Sequence, residues 1–147
     1  MAHVRKQIRD HFASALASGV TLVNGSVFPT RIFPLDGDKL PCLAVYAVSE
    51  VSGLQTMGQK TLMRDVSVSV EAYIKARNTF DDDVDAIAVQ IEQAIASDTT
   101  LGGVAKDAIL ASTEIEFSPE GERPVGVARL TFTVRYVTSI EDASTAR

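Results

Sequence analysis

The chain has 147 residues, of which 46% are hydrophobic and 22% charged, with 14 Lys and Arg against 19 Asp and Glu. This length suits one domain, and the apolar fraction excludes a wholly disordered chain. The net charge of −5 argues against a general nucleic-acid binder, which needs a basic face. A single cysteine excludes an internal disulfide and a Cys-rich zinc site. Because no segment resembles a membrane span or a signal peptide, we expect a soluble intracellular protein.

The N-terminal segment, from Ala2 to about Ser18, is predicted to be an amphipathic helix. Its apolar side chains recur at helical spacing, and they are Val4, Ile8, Phe12 and Leu16. We expect Gly19 to end this helix, because glycine tolerates a positive φ.

Three prolines follow in the next segment, namely Pro29, Pro34 and Pro41. Because proline lacks the N–H group that a central strand donates, Ser26–Phe33 is expected to be an edge strand or an extended arm. The apolar run Cys42–Ser49 predicts a buried strand, in which Cys42 serves as a small buried side chain. The next stretch, Glu50–Lys60, has no clear periodicity and is predicted to be a loop.

Two segments in the middle of the chain have the clearest periodicity. Leu62–Ile74 alternates strictly between apolar and polar residues, which predicts a half-buried strand. Its length exceeds that of a typical strand, so we expect it to project past the sheet as part of a hairpin. Thr79–Ser97 is predicted to be a helix with Thr79 as its N-cap. Its first turns are acidic, which complements the helix dipole.

The last third of the chain predicts an antiparallel hairpin, formed by Ala108–Phe117 and Val125–Val137 around a polar turn. Residues 139–147 are expected to be a flexible tail that follows a single domain, 1–138. The order of elements predicts an α+β fold. We expect an antiparallel sheet of about four strands with two helices packed on one face, plus a long hairpin or arm.

The segment Gly53–Thr61 nearly matches a phosphate-binding loop, G-x-x-x-x-G-K-[ST]. An extra residue, Gln59, separates Gly58 from Lys60, and a strand rather than a helix follows. Nucleotide binding is therefore not expected.

No pattern of catalytic or metal-binding residues emerges either. Four acidic residues imitate part of a calcium loop, namely Asp81, Asp83, Asp85 and Glu92. However, Ala86 stands where such a loop requires glycine, so an acidic helix start is the better interpretation. The two histidines, His3 and His11, have no partners at metal-ligand spacing. We expect no enzyme activity, no cofactor and no metal site.

Two groups of residues are candidates for contacts with other proteins. The predicted loop contains a possible partner-contact segment, composed of Leu54, Gln55, Thr56 and Met57. Its apolar side chains either tuck back onto the domain or contact a partner. A possible subunit interface comprises Val27, Phe28, Arg31, Arg64, Arg129 and Arg135. The last three arginines lie on polar strand faces, either solvated or in ion pairs between subunits.

Three stretches carry a resemblance to a known family. They are Val27–Pro34 with Leu40-Pro41, Asp81–Ile95 leading to Leu101-Gly102-Gly103, and Gly121–Phe132 running to Tyr136. In the order and character of these segments, the chain resembles the tail terminator proteins of phages with long, non-contractile tails, the family of the lambda tail terminator. The likeness spans most of residues 4–138.

The resemblance implies an α+β subunit without catalytic residues that assembles into a hexameric ring. Such a ring caps the tail tube, stops its polymerisation and offers a joining surface to a head-completion or connector protein. Its partners are therefore the tail tube protein and the head side, and its location is the head-proximal end of the virion tail, after assembly in the host cytoplasm. DNA would pass through the lumen without specific binding, which the negative charge favours. No membrane partner is implied.

Two alternatives stay open. The same sequence features would also suit another neck or tail-completion protein of a phage, which would differ from a tail terminator in its partner rather than in its fold. From a different class, a small non-viral ligand-binding or regulatory α+β domain would also satisfy the composition.

Overall fold

The computed structural model describes residues 2–30, 40–56, 58, 60–118 and 125–147. The elements in chain order are α1 (Val4–Gly19), a 3-10 turn (Thr21–Val23), β1 (Val27–Phe28), β2 (Cys42–Thr56), β3 (Thr61–Lys75), α2 (Phe80–Ala96), β4 (Asp107–Ser118) and β5 (Val125–Ser139). Both predicted helices and the C-terminal hairpin are thus confirmed.

The five strands form one sheet in the order β1-β2-β3-β5-β4. The four long strands pair antiparallel with one another, as predicted. The short strand β1 pairs in parallel with β2 at Val27↔Leu43 and Phe28↔Ala44, so the sheet is mixed. The α+β class is confirmed, with this fifth strand as an addition. Arg31 lies outside the described residues.

Both helices pack on one face of the sheet. The periodic apolar stripes of α1 and α2 join the inward-facing residues of β3 and β5 in one buried cluster. At its centre, the rings of Phe12 from α1 and Phe132 from β5 meet edge to face, with centroids 5.5 Å apart. The strict alternation in β3 therefore does mark a strand with one face in the core.

Gly19 does not play its predicted role. It lies within α1 and is not among the glycines with positive φ. A Cβ at this position would come within 2.8 Å of the Ala94 Cβ in α2. Glycine is therefore needed here because it lets the two helices approach closely.

The prediction of a loop over Glu50–Lys60 is wrong for most of these residues. Strand β2 continues to Thr56 and pairs with β3 through Val51↔Asp65 and Leu54↔Leu62. The register shifts near Val48 and Gln55, and these irregularities break the alternation that reveals a strand in sequence. The β2–β3 hairpin does not project alone, because β5 pairs with β3 along its whole length.

The C-terminal segment also differs from its prediction. Ser139 belongs to β5, and the following residues fold back on the domain. The carbonyl of Ala143 accepts a hydrogen bond from the Val4 N–H at 2.9 Å, and the Arg147 N–H donates to the Val137 carbonyl at 2.8 Å. Ala146 packs against the buried cluster. One methyl group and backbone hydrogen bonds therefore attach to the domain the segment that was expected to be a flexible tail.

Candidate interaction surface

A cluster of polar side chains surrounds Glu50 on the helix-covered face of the sheet. Its carboxylate accepts a hydrogen bond from the Tyr136 hydroxyl and forms ion pairs with Arg5 at 2.7 Å and Arg64 at 3.3 Å. Arg64 Nε also donates to Thr138 Oγ1 at 3.1 Å. We call these five residues the Glu50 cluster. It joins α1 to three strands, and the carboxylate neutralises one of its two cations.

A second cluster surrounds Glu71 on the opposite face. The Glu71 carboxylate accepts hydrogen bonds from the hydroxyls of Tyr46 and, at 3.0 Å, Tyr73. Arg129 lies 3.5 Å from Glu71 and 3.2 Å from Glu114 of β4. We call these five residues the Glu71 cluster. Here two carboxylates share one cation, and every member belongs to the sheet.

The three strand arginines of the predicted interface all have partners within the chain. Arg64 belongs to the Glu50 cluster and Arg129 to the Glu71 cluster. Arg135 donates from two nitrogens to the Asp65 carboxylate at 2.8 and 3.1 Å, and this hydrogen bonding lowers the pKa of Asp65. These arginines therefore hold neighbouring strands together, and ion pairs between subunits are not needed to balance them.

The other predicted interface residues lie in different places. Val27 and Phe28 form β1 at the sheet edge, and Phe28 packs on the small buried group of Cys42, Ala44 and Tyr73. Burial raises the pKa of the Cys42 thiol, as expected for an unreactive side chain.

The predicted partner-contact segment lies on β2 and not in a loop. Leu54 and Gln55 are exposed, and Gln55 Oε1 accepts a hydrogen bond from the Thr61 hydroxyl at 3.3 Å. Thr56 ends the strand, and Met57 lies outside the described residues. Leu54 does not tuck into the core, since it is 55% exposed.

Leu54 belongs to a larger exposed edge, which we call the β2 edge, Val48–Gln55. Strand β1 covers only Leu43 and Ala44 of β2, and beyond them β3 is the partner of β2 among the described strands. Val48, Val51 and Leu54 are exposed here, Val51 to 74%. Val51 and Leu54 are three residues apart in a regular part of the strand, so their side chains project from opposite faces of the sheet along this edge.

A second exposed edge lies at the other end of the sheet order. Strand β4 pairs only with β5 among the described strands, and three large apolar side chains on it are each at least 50% exposed, namely Ile109, Ile115 and Phe117. We call this strand the β4 edge, Asp107–Ser118. The sequence alone does not predict this edge, because the exposure of an apolar residue in a strand depends on which strands lie beside it.

A basic cleft of about 310 Å³ adjoins the β2 edge. Its lining includes Arg5, Lys6 and Arg9 of helix α1, the N-cap residue His3, and Thr30 and Ala47. His3 Nδ1 caps the helix by accepting a hydrogen bond from the Arg5 N–H at 3.0 Å, and burial lowers the pKa of this imidazole. Two of the cleft's cations are paired within the chain, Arg5 with Glu50 and Lys6 with Asp10, each at 2.7 Å.

The acidic residues that resemble a calcium loop lie in α2, with Asp81, Asp82 and Asp83 in its first turn. Among the described residues, no group of three His, Cys, Asp or Glu side chains is arranged to hold a metal ion. Within the same part of the chain, neither helix is long and apolar enough to cross a membrane.

Comparison of the chain with protein-family models and with curated proteins finds no match. The likeness to tail terminators therefore depends on the sequence features described above.

Proposed function

We propose that this chain is a structural subunit of a phage tail that forms a ring, most simply a hexamer, at the head-proximal end of the tail tube. The ring stops polymerisation of the tube protein and presents its other face to a head-completion or connector protein. This function requires interaction surfaces rather than a catalytic site.

The supporting observation is the pair of exposed apolar edges at opposite sides of the sheet. A closed ring needs a heterologous interface, in which each copy presents two different and complementary surfaces. The β2 edge and the β4 edge differ in sequence, and each exposes several large apolar side chains. One copy therefore has a surface for each of its two neighbours.

The distribution of polar groups also suits a structural role. The carboxylates of Glu50 and Glu71 are each bound by at least one tyrosine hydroxyl and at least one arginine of the same chain. Such networks hold strands in a fixed arrangement. The net charge of −5 lets DNA pass through the lumen without tight binding, since no gain from counterion release is available. A strongly basic lumen in the assembled ring would contradict this last point.

Electron microscopy of phage particles tests the proposal directly. We expect labelled protein in a ring at the head-proximal end of the tube, and abnormally long tails in particles made without it. Tails of normal length that fail to join heads would instead identify a neck or head–tail joining protein. Particles that are normal without the chain would contradict any role in the tail.

A further inference from the structure

We propose that Asn24-Gly25, in the connection between the 3-10 turn and β1, is a site of spontaneous deamidation, and that the Gln90 side chain of α2 controls its rate. The inference is independent of the proposed ring. It depends on the chemistry of this residue pair, on its exposed backbone and on the contacts that hold the 3-10 turn to α2.

The reaction requires an asparagine side chain and a backbone nitrogen that can attack it. After hydroxide removes its proton, the Gly25 nitrogen attacks Cγ of Asn24, a five-membered succinimide ring closes, and ammonia leaves. Water then opens the ring at one of its two carbonyl groups, which gives aspartate or isoaspartate without any oxidant or reductant. Asparagine is among the thermolabile residues, and glycine after it has no side chain that hinders the attack.

The backbone at this position is accessible. Asn24 and Gly25 are both exposed, and a Cβ placed on Gly25 would meet no atom within 4 Å. The Asn24 N–H donates to the Thr21 carbonyl at 3.1 Å, and the Ser26 N–H donates to the Val23 carbonyl at 2.9 Å. The Gly25 N–H, in contrast, donates no hydrogen bond to any described residue. It can therefore lose its proton without breaking a hydrogen bond of the fold.

The folded backbone keeps the two reacting groups apart. Asn24 has a left-handed conformation, with φ of 50° and ψ of 40°. Ring closure needs the Gly25 nitrogen on the same side of the Asn24 Cα–C bond as Cβ, whereas at this ψ the nitrogen lies nearly opposite to Cβ. The reaction therefore proceeds from a locally opened state, and its rate follows the population of that state.

The Gln90 side chain stabilises the closed state from α2. Its Oε1 accepts a hydrogen bond from the Leu22 N–H at 3.3 Å, and its Nε2 donates to Thr21 Oγ1 at 3.0 Å. Both partners belong to the 3-10 turn, which has only three residues and ends at Asn24 as its C-cap. Because a turn this short has few hydrogen bonds of its own, loss of the Gln90 contacts should increase the open population.

Deamidation at this position would alter the start of β1. Both products add one negative charge, and isoaspartate also adds one methylene group to the main chain. The Ser26 carbonyl accepts a hydrogen bond from the Leu43 N–H at 2.8 Å, and β1, which follows, has only two residues. A longer backbone immediately before Ser26 would therefore disturb the pairing of β1 with β2.

Peptide mass spectrometry of the full chain during incubation at pH 8 tests the proposal. Gln90→Ala removes both contacts with the 3-10 turn. We expect Asn24 to deamidate about fivefold faster in this variant than in the wild type, the effect of one hydrogen bond on an opening equilibrium. Gln93→Ala is the matched control, because Gln93 is exposed on the same helix and its side chain makes no hydrogen bond to a described residue. This control should react at the wild-type rate.

The chain also contains an internal reference. Its other asparagine, Asn78, precedes Thr79, and a β-branched side chain at the attacking residue restricts access to its nitrogen. We expect Asn78 to stay intact while Asn24 reacts. Reaction of both asparagines at the same rate would contradict a specific site at Asn24.

Two further outcomes would overturn the proposal. Equal rates in the wild type and Gln90→Ala would show that Gln90 does not control the reaction. If Asn24 stays intact in folded Gln90→Ala but deamidates when the same chain is unfolded in guanidinium chloride, it is not a site in the folded protein. In the isoaspartate product, the Leu43 amide should exchange hydrogen faster than in the unmodified chain, and unchanged exchange would contradict the effect on β1.

Discussion

The two buried carboxylates lie on opposite faces of the same sheet and have opposite charge balance. Glu50 has two arginine partners, whereas Glu71 shares a single arginine with Glu114. Both accept tyrosine hydroxyls as well. The Glu50 cluster includes Arg5 of α1, while the Glu71 cluster lies entirely within the sheet.

This difference assigns the two clusters different structural roles. The Glu50 cluster attaches the start of α1 to the β2–β3 hairpin, so its loss affects how the helix layer sits on the sheet. The Glu71 cluster ties β2, β3, β5 and β4 to one another across the open face. Because Arg129 keeps Glu114 as a partner, the Glu71 cluster is also the better protected against loss of its central carboxylate.

The largest expected effect involves the tyrosines of both clusters. The chain has three tyrosines, and burial raises the pKa of Tyr46, Tyr73 and Tyr136, with the neighbouring carboxylates adding to the shift. Above pH ~10 the unfolded chain loses these protons while the folded chain keeps them, so the free energy of unfolding falls as pH rises. We expect tyrosinate absorbance near 295 nm to appear only together with unfolding, followed by circular dichroism. Tyrosinate formation near pH 10 in a folded chain would contradict this burial.

The next effect concerns the Glu50 cluster. Glu50→Gln keeps an acceptor for Tyr136 but leaves Arg64 without its carboxylate, and the Arg64 side chain is only 11% exposed. A buried ion pair that loses one partner costs several kcal/mol, so we expect the free energy of unfolding in urea to drop by about 3 kcal/mol.

Removing the Arg64 charge as well as the Glu50 carboxylate provides the matched control. In the double variant Glu50→Gln/Arg64→Met, no unpaired cation remains in the buried part of the cluster, so we expect a smaller loss than the sum of the two single losses. Strictly additive losses would show that the two residues do not interact.

The same substitution in the other cluster should have a smaller effect. Glu71→Gln keeps one oxygen that accepts from a tyrosine hydroxyl and an NH2 group that can donate to the other hydroxyl, and Arg129 retains Glu114. We expect a loss of about 1 kcal/mol in the same urea titration, as for a weakened hydrogen bond. A loss as large as that of Glu50→Gln would remove the distinction between the clusters.

Regular hydrophobic periodicity predicts most of the helices and strands. The segments with irregular strand pairing could not be predicted in the same way. Strict alternation located β3, and helical spacing located α1 and α2, because each has one face in the core. The second half of β2 was missed where register shifts interrupt its pattern. Neither carboxylate cluster was predictable, since Arg5, Glu50 and Tyr136 are brought together only by the order of the strands.

The smallest effect concerns His3, at the edge of the Glu50 cluster. Its Nδ1 caps α1 only when unprotonated, and burial together with nearby arginines lowers its pKa. As pH falls below about 6.5, the unfolded chain takes up this proton first, so stability that is complete above that pH is progressively lost. We expect a loss of about 1 kcal/mol between pH 7 and pH 5, the value of a typical cap. His3→Asn keeps a good cap that does not titrate, so the variant should match the wild type at pH 8 and exceed its thermal stability at pH 5. Identical pH profiles would show that the cap contributes nothing, and that Arg5 alone positions the helix start against Glu50.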